Sequence, residues 1–389
     1  MKILSGIRKK MLLCLVAALV TLSATSQPSR TGYKLIAYMM GARQAEYPDS
    51  LIRMLTHINY AFAKVVDGEM AFHGRNPEQE QRIKESAARI VGLKSKNPDL
   101  KIMLSVGGWG AEGFSDAALT PESRMKFALS GCRMIREHQF DGIDIDWEYP
   151  GQPGGGNVYR IVDKQNFTLM LKILREELDK LSLELKREKG NPLLLTIASG
   201  ADEEYFKWTD LGEAHKYLDF INIMAYDFYS GLSTVSGHHA NLWKTDIQGA
   251  AAISATVAVQ RHKNAGVPAA KLVIGVPFYG RYWRGVPDIN HGLYQQGTTA
   301  GQYKVYTELL NTYLNKNTFT RYWDPVAKAP YLYSKDSAMV ISYDDPESLG
   351  LKAEYVKEEH LGGIMFWEYS GDRTGTLLNT LNERLKLIK

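Results

Sequence analysis

The sequence predicts an α/β fold: eight strand–helix units closed into a (β/α)8, or TIM, barrel, with a small α+β insertion domain between strands seven and eight. Three observations carry this expectation. Short apolar runs alternate with helical patterns along most of the chain, the signature of βα units and a parallel sheet. Eight such runs can be counted, and a single interval, 284–338, breaks the rhythm. At 389 residues and 44% hydrophobic, the chain can also bury the large core a barrel needs.

The candidate strands are Lys34–Met39, His57–Ala63, Lys101–Val106, Gly142–Trp147, Leu194–Ala198, Phe220–Ala225, Leu272–Phe278 and Gly363–Trp367. Between the second and third, a helix opens near Pro77 and stops at Asn97–Pro98. Thr120 and Pro121 read as the N-cap and first-turn pair of the next helix. Phe167, Met170, Leu171, Leu174, Leu178 and Leu181 recur at helical spacing and mark one face of a long helix, with Gly190 and Pro192 beyond it as closing signals. The interval from Arg284 to Ala338 holds a Gly-rich stretch, a helix-like YKVYTELLNTYLNK and short aromatic segments such as APYLYS. An insertion there would rise over the C-terminal face, where barrels carry their chemistry.

The N-terminus has a different character. Lys2, Arg8, Lys9 and Lys10 precede an apolar run, Met11–Leu22, which gives way to small polar residues. A basic segment, a short apolar core and a small-residue site form a signal peptide pattern, expected to be cut after Ser26. The run is too short to span a bilayer as a mature helix. The expected organisation is a signal peptide at 1–26, a catalytic barrel at 27–283 and 339–389, and the insertion at 284–338. Such a chain would be exported, to the periplasm or the medium, with no stable membrane association after cleavage.

Those four basic residues account for the formal charge of +4; without them 43 basic residues face 43 acidic ones. With no basic run either, nucleic acid is a poor partner. Cys132 is then the lone cysteine, so no intramolecular disulfide is possible. Its place among Met125, Ala128, Leu129 and Ile135 at helical spacing reads as a small buried hydrophobe. A monomer is expected.

The segment Phe140–Pro150, FDGIDIDWEYP, carries the chemistry. Alternate side chains of a strand share a face, so Asp144, Asp146 and Glu148 point one way and Ile143, Ile145 and Trp147 the other. The apolar set must meet the covering helices, which turns three acids into the barrel, where branched apolar residues normally sit. Unpaired carboxylates there are expensive for a merely structural strand. Residues two apart on a strand are about 6.6 Å apart, and at an effective dielectric near 20 two like charges at that distance repel by roughly 2.5 kcal/mol. That is about 2 pKa units. At least one acid should therefore stay protonated at neutral pH, as a proton donor for glycosidic bond cleavage must. Glu148, last in the row and nearest the rim, is the expected donor. Asp141 has the opposite parity, precedes Gly142 and reads as structural.

This segment resembles the DxxDxDxE signature of glycoside hydrolase family 18, the chitinases, with Asp141, Asp144, Asp146 and Glu148 all present. SVGG at Ser105–Gly108, MAYD at Met224–Asp227, GVPFYGR at Gly275–Arg281 and MFWEYSGD at Met365–Asp372 follow in the family's order. The interval with WDPVAKAPYLY, and SYDDP after it, is similar to the insertion domain of chitinases with deep clefts. The resemblance implies hydrolysis of chitin or chitooligosaccharides by substrate assistance. In that mechanism Glu148 is the general acid and base and Asp146 binds the acetamido N–H. Asp144 supports Asp146, and Tyr226 aligns the attacking acetamido oxygen. It also implies that Asp227 helps hold that group, that Tyr279 and Arg281, of shared parity on strand seven, contact substrate, and that Trp367 is the floor under the sugar. Tyr38 and Ser105 resemble the pair that holds Asp144. Trp109 would line the cleft further out, and Tyr149 is grouped with the substrate contacts. Met224 shares the inward face with Tyr226, where packing and substrate contact are both open.

The resemblance implies no metal and no organic cofactor. His238 and His239 suggest a metal pair, but no third ligand accompanies them at usable spacing, so they read as loop residues. Glu368 lies beside Trp367 with outward parity and is not expected to act as a second catalytic carboxylate. Two other readings stay open. One is an endoglycosidase acting on protein-linked glycans or peptidoglycan, whose representatives often lack the insertion. The other is an inactive chitin-binding lectin of the same fold, which usually lacks the last acid.

Overall fold

The computed structural model describes residues 32–41, 46–188 and 190–386. The expected signal peptide lies outside these residues. Each of the eight expected strands forms: Lys34–Met40, His57–Val66, Lys101–Gly107, Gly142–Asp146, Leu194–Ser199, Phe220–Ile223, Leu272–Pro277 and Gly363–Trp367. Each pairs in parallel with the next, and the last pairs with the first, so the sheet closes. Alternation then separates two cores. Ile143, Ile145 and Trp147 join the outer core under the helices, where Trp147 stacks on Phe114 and meets Phe167 edge-on. Ile36, Tyr38, Phe220, Val273 and Met365 fill the barrel interior.

The helices follow local signals. Asn76 caps Pro77–Val91 by accepting from Gln79 N, and Thr120 with Ser123 forms a capping box for Pro121–His138. The first of these ends before the expected Asn97–Pro98 stop, passing into a 3₁₀ turn at Gly92–Ser95. Asn97 turns inward and donates to the carbonyls of Ile52 and Leu55. The long helix spans Asp163–Glu184 with all six expected apolar positions buried. Cys132 is buried, and burial pushes its thiol up to about 11, which leaves it a protonated packing residue.

The interval between strands seven and eight forms a second, antiparallel sheet in the order Gln302–Val305, Tyr279–Arg284, Met339–Ser342, Ala329–Ser334, Thr320–Asp324. Its outer limits, Tyr279 and Ser342, lie beyond the expected 284–338 on both sides. The helix-like YKVYTELLNTYLNK opens as strand through Val305 and turns helical from Tyr306. Barrel strand seven stops at Pro277, so Tyr279 and Arg281 are not on it as expected but on the first strand of the second sheet. Both sheets alternate with period two, so the shared parity of Tyr279 and Arg281 survives the change.

Just past the second sheet, Asp344 and Lys352 form an ion pair with both side chains 1% exposed, and Ser348 Oγ donates to the same carboxylate at 2.7 Å. Removing one partner strands the other charge in the interior, which costs about 3–5 kcal/mol. Asp344→Ala is expected to lower unfolding free energy by about that much in denaturant titrations. Replacing both residues by apolar ones of similar volume should recover most of the loss.

Candidate active site

The row of acids stands where the parity argument places it. Asp144 is fully buried and receives four hydrogen bonds: from Tyr38 Oη and Ser105 Oγ at 2.8 Å each, Thr196 Oγ1 at 2.6 Å and Asn222 Nδ2 at 3.2 Å. Tyr38 and Ser105 were expected there. Thr196 and Asn222, inward polar residues in the otherwise apolar runs LLTIA and FINI, were not. Asp146 is buried, and among the described residues its Oδ1 has no hydrogen-bond partner. Glu148 is half-buried at the end of the row.

All three carboxyls are held above the usual range, chiefly by burial. For Asp144 the four donors oppose that shift. For Asp146 the charges of Glu148 and Asp144 add to it, and its pKa is held well up. Burial, opposed by a hydrogen bond with Tyr149 and assisted by Asp227, pushes Glu148 up to about 7. The expectation gave like-charge repulsion as the cause of a retained proton; desolvation is the larger one, because the row is deeper in the barrel than strand spacing alone reveals.

The strand before the row is shaped to fit it. Gly107 has φ 122°, and a Cβ there would lie 2.0 Å from the Asp146 carbonyl oxygen. At Gly108 a Cβ would lie 2.6 Å from the Phe62 ring. This is the physical reason for two glycines in SVGG.

Aromatic residues form the floor and walls. Trp367 stacks on Phe62 at 5.6 Å between ring centroids and tilts against Tyr38 at the same distance. Met224 and Tyr226 are half-buried against the inner core, with Tyr226 edge-on to Tyr279. Trp109, 55% exposed, meets Tyr149 edge-on at the rim. Glu368 is turned away, accepting from Ser370 N and Ser370 Oγ. Asp141 is structural, bonded to Ile102 N, Lys94 and Arg187.

The second sheet reaches the site through Tyr279 and through an ion pair. Arg281 grips Asp227 with Nε at 2.8 Å and Nη2 at 2.6 Å, and its guanidinium lies over the rings of Tyr279 and Tyr303. Burial alone would raise the Asp227 pKa, but His239 and Arg281 outweigh it and hold the carboxyl well below the usual range. His239 lies 3.5 Å from Asp227 and His238 3.2 Å from Asp324. Both histidines lie in a loop, as expected, and are fully buried braces there. Among the described residues no group of three or more His, Cys, Asp or Glu side chains is placed to hold a metal ion. Sequence reasoning missed Phe62, Tyr303, Thr196, Asn222 and Lys64.

An inward acid row at the C-terminal mouth of a closed parallel barrel, roofed by an antiparallel sheet, defines a barrel of the carbohydrate-cleaving type. The model for glycosyl hydrolases family 18 matches residues 34–372, and the chain belongs to that family. It is 38% identical to chitinase A1 of Niallia circulans over 96% of this chain and 62% of that protein's length. Against chitinase B of Serratia marcescens the identity is 31%, covering 85% of this chain and 76% of the relative. Among solved structures, a family 18 N-acetylglucosaminidase from Paenibacillus barengoltzii superposes with a TM-score of 0.83 at 41% identity, covering 90% of this chain and 99% of that one.

Proposed function

We propose that this protein hydrolyses β-1,4-linked N-acetylglucosamine chains, as in chitin and chitooligosaccharides, with retention of configuration and with Glu148 as general acid and base. The observation that supports this most is the row Asp144–Asp146–Glu148, in which the buried Asp146 Oδ1 lacks a partner among the described residues. A buried acceptor left open costs free energy unless a ligand completes it. The acetamido N–H of the sugar is a donor of the right kind.

In this reading Glu148 gives its proton to the leaving oxygen. The substrate's acetamido oxygen attacks the anomeric carbon and forms an oxazolinium ion, while Asp146 accepts from the acetamido N–H and balances the developing charge. The Tyr226 hydroxyl donates to the attacking oxygen. Asp144, fixed by its four donors, keeps Asp146 in place. Glu148, now ionised, takes a proton from water, which attacks the same carbon and restores the acetamido group. Trp367, backed by Phe62, supports the apolar face of the sugar, and Asp227 with Arg281, Tyr279, Tyr149 and Trp109 line the path of the chain. The export pattern at residues 1–26 supports action outside the cytoplasm.

A second reading, removal of single N-acetylglucosamine units from chain ends, is favoured by the similarity to the Paenibacillus enzyme. Time courses on chitotetraose and chitohexaose separate the two. The first reading expects dimers from chitotetraose, and dimers, trimers and tetramers from chitohexaose, at the earliest time points; monomer with trimer from chitotetraose, and monomer with pentamer from chitohexaose, would select the second. Failure to cut either substrate, with glycoprotein or peptidoglycan cut instead, would overturn both.

A further inference from the structure

The second barrel strand runs on to Val66, beyond its expected end at Ala63, and carries Lys64 to the mouth of the barrel. Lys64 is half-buried. Its Nζ donates to the Gly107 carbonyl at 3.3 Å and lies 5.9 Å from the centre of the Phe62 ring. Phe62 is the ring that backs Trp367, and Gly107 pairs in register with Asp146. An ammonium therefore stands beside the floor of the site and the middle acid of the row. Burying it there is unfavourable, and burial lowers its pKa, with the charge of Asp146 acting in the opposite sense.

The other groups around Asp146 cannot stabilise a negative charge on it in the same way. Asp144 and Glu148 add like charge. Tyr38, Tyr149, Tyr205 and Tyr226 are phenols kept neutral by burial. Among the described residues, Lys64 is the basic one whose charge favours the ionised form. We propose that Lys64 is a positioning residue for this reaction, the counter-charge that keeps Asp146 an acceptor for the acetamido N–H while Glu148 holds the proton. This rests on the reading of the site given above.

The consequence is a dependence on pH. A cation beside a carboxyl lowers its pKa, so removing the cation raises it, and Asp146 is then lost as an acceptor at a higher pH. In Lys64→Met the acid limb of kcat/KM on chitotetraose should move up by roughly one pH unit, with the basic limb less affected. Activity well below the limb should fall about tenfold, and Lys64→Arg, which keeps the charge, should restore the limb. Lys64→Gln serves as a second neutral variant should the Met side chain disturb folding. A loss of equal size at every pH, or an Arg variant that behaves like Met, would show a packing or binding role and overturn the proposal. Glu148→Gln and Asp146→Asn, assayed beside them, test the underlying reading separately. If those two are inactive and the limb of Lys64→Met stays in place, only the role of Lys64 is lost; if either keeps normal turnover, the mechanism itself is wrong.

Discussion

Glu148→Gln is expected to lower turnover of chitotetraose by about 10²–10⁴-fold or more while leaving the barrel intact. That range is what general acid catalysis alone contributes, and the loss can be larger because the same group serves both steps of the proposed reaction. The amide keeps the shape of the side chain and removes the ionisable proton. Glu148 is pushed up to about 7 by burial, so in the wild type it is protonated below that pH and loses its proton as pH rises through it. The basic limb of the wild-type profile should fall there, and any residual activity of Glu148→Gln should lack it. Thermal melting offers a second readout with the opposite direction. A carboxyl whose folded pKa exceeds its unfolded value destabilises the fold as pH rises from the unfolded value to the folded one, and the cost persists above. Glu148→Gln is free of that cost, so at neutral pH it should melt no lower than the wild type. Near-normal turnover would remove Glu148 from the mechanism. Glu368→Gln, on a carboxylate occupied with Ser370, is the control expected to be far milder.

The second large effect concerns the substrate. Among the described residues no carboxylate stands free to act as nucleophile opposite Glu148: Asp144 and Asp146 stand in the same row, Glu368 faces Ser370, and Asp227 is committed to Arg281. If the acetamido oxygen is the nucleophile, glucosamine at the reacting position can bind but cannot react. Partly deacetylated chitosan should be cut only where an N-acetylated residue lies on the non-reducing side of the bond. The new reducing ends should appear first as the β anomer, and a stable oxazoline mimic should inhibit strongly because it resembles the intermediate. Sequencing those ends and following their anomers by NMR decides the point. Frequent glucosamine at the new ends, or an initial α anomer, would exclude substrate assistance.

The barrel could be read because each strand is a short branched or apolar run, and the acid row because a period of two sorts FDGIDIDWEYP without ambiguity. The boundary of the second sheet could not. Residues 279–284 alternate as well in an antiparallel sheet as in a barrel strand, and their partner strands, Gln302–Val305 and Met339–Ser342, distinguish them. Thr196 and Asn222 offered a faint signal, a polar residue at an inward position of an apolar strand, but their common target lies on another strand. Phe62 resembles any core aromatic until Trp367 is placed beside it. Lys64 lies one residue past the expected strand end at Ala63, where a lysine ordinarily meets solvent. How far burial would outweigh charge repulsion depends on depth, which a strand's repeat does not encode.

The open acceptor on Asp146 has a bearing on descent. A site that holds three acids above their usual range is locally less stable than the scaffold around it, and neutral replacements of Asp146 or Glu148 would relieve that cost while, on the mechanism proposed, ending turnover. Loss of chemistry is thus the downhill direction for such a barrel, and sugar-binding descendants that keep the cleft need no compensating change elsewhere. Selection for turnover would have to hold this row in place generation by generation, against the fold's own preference.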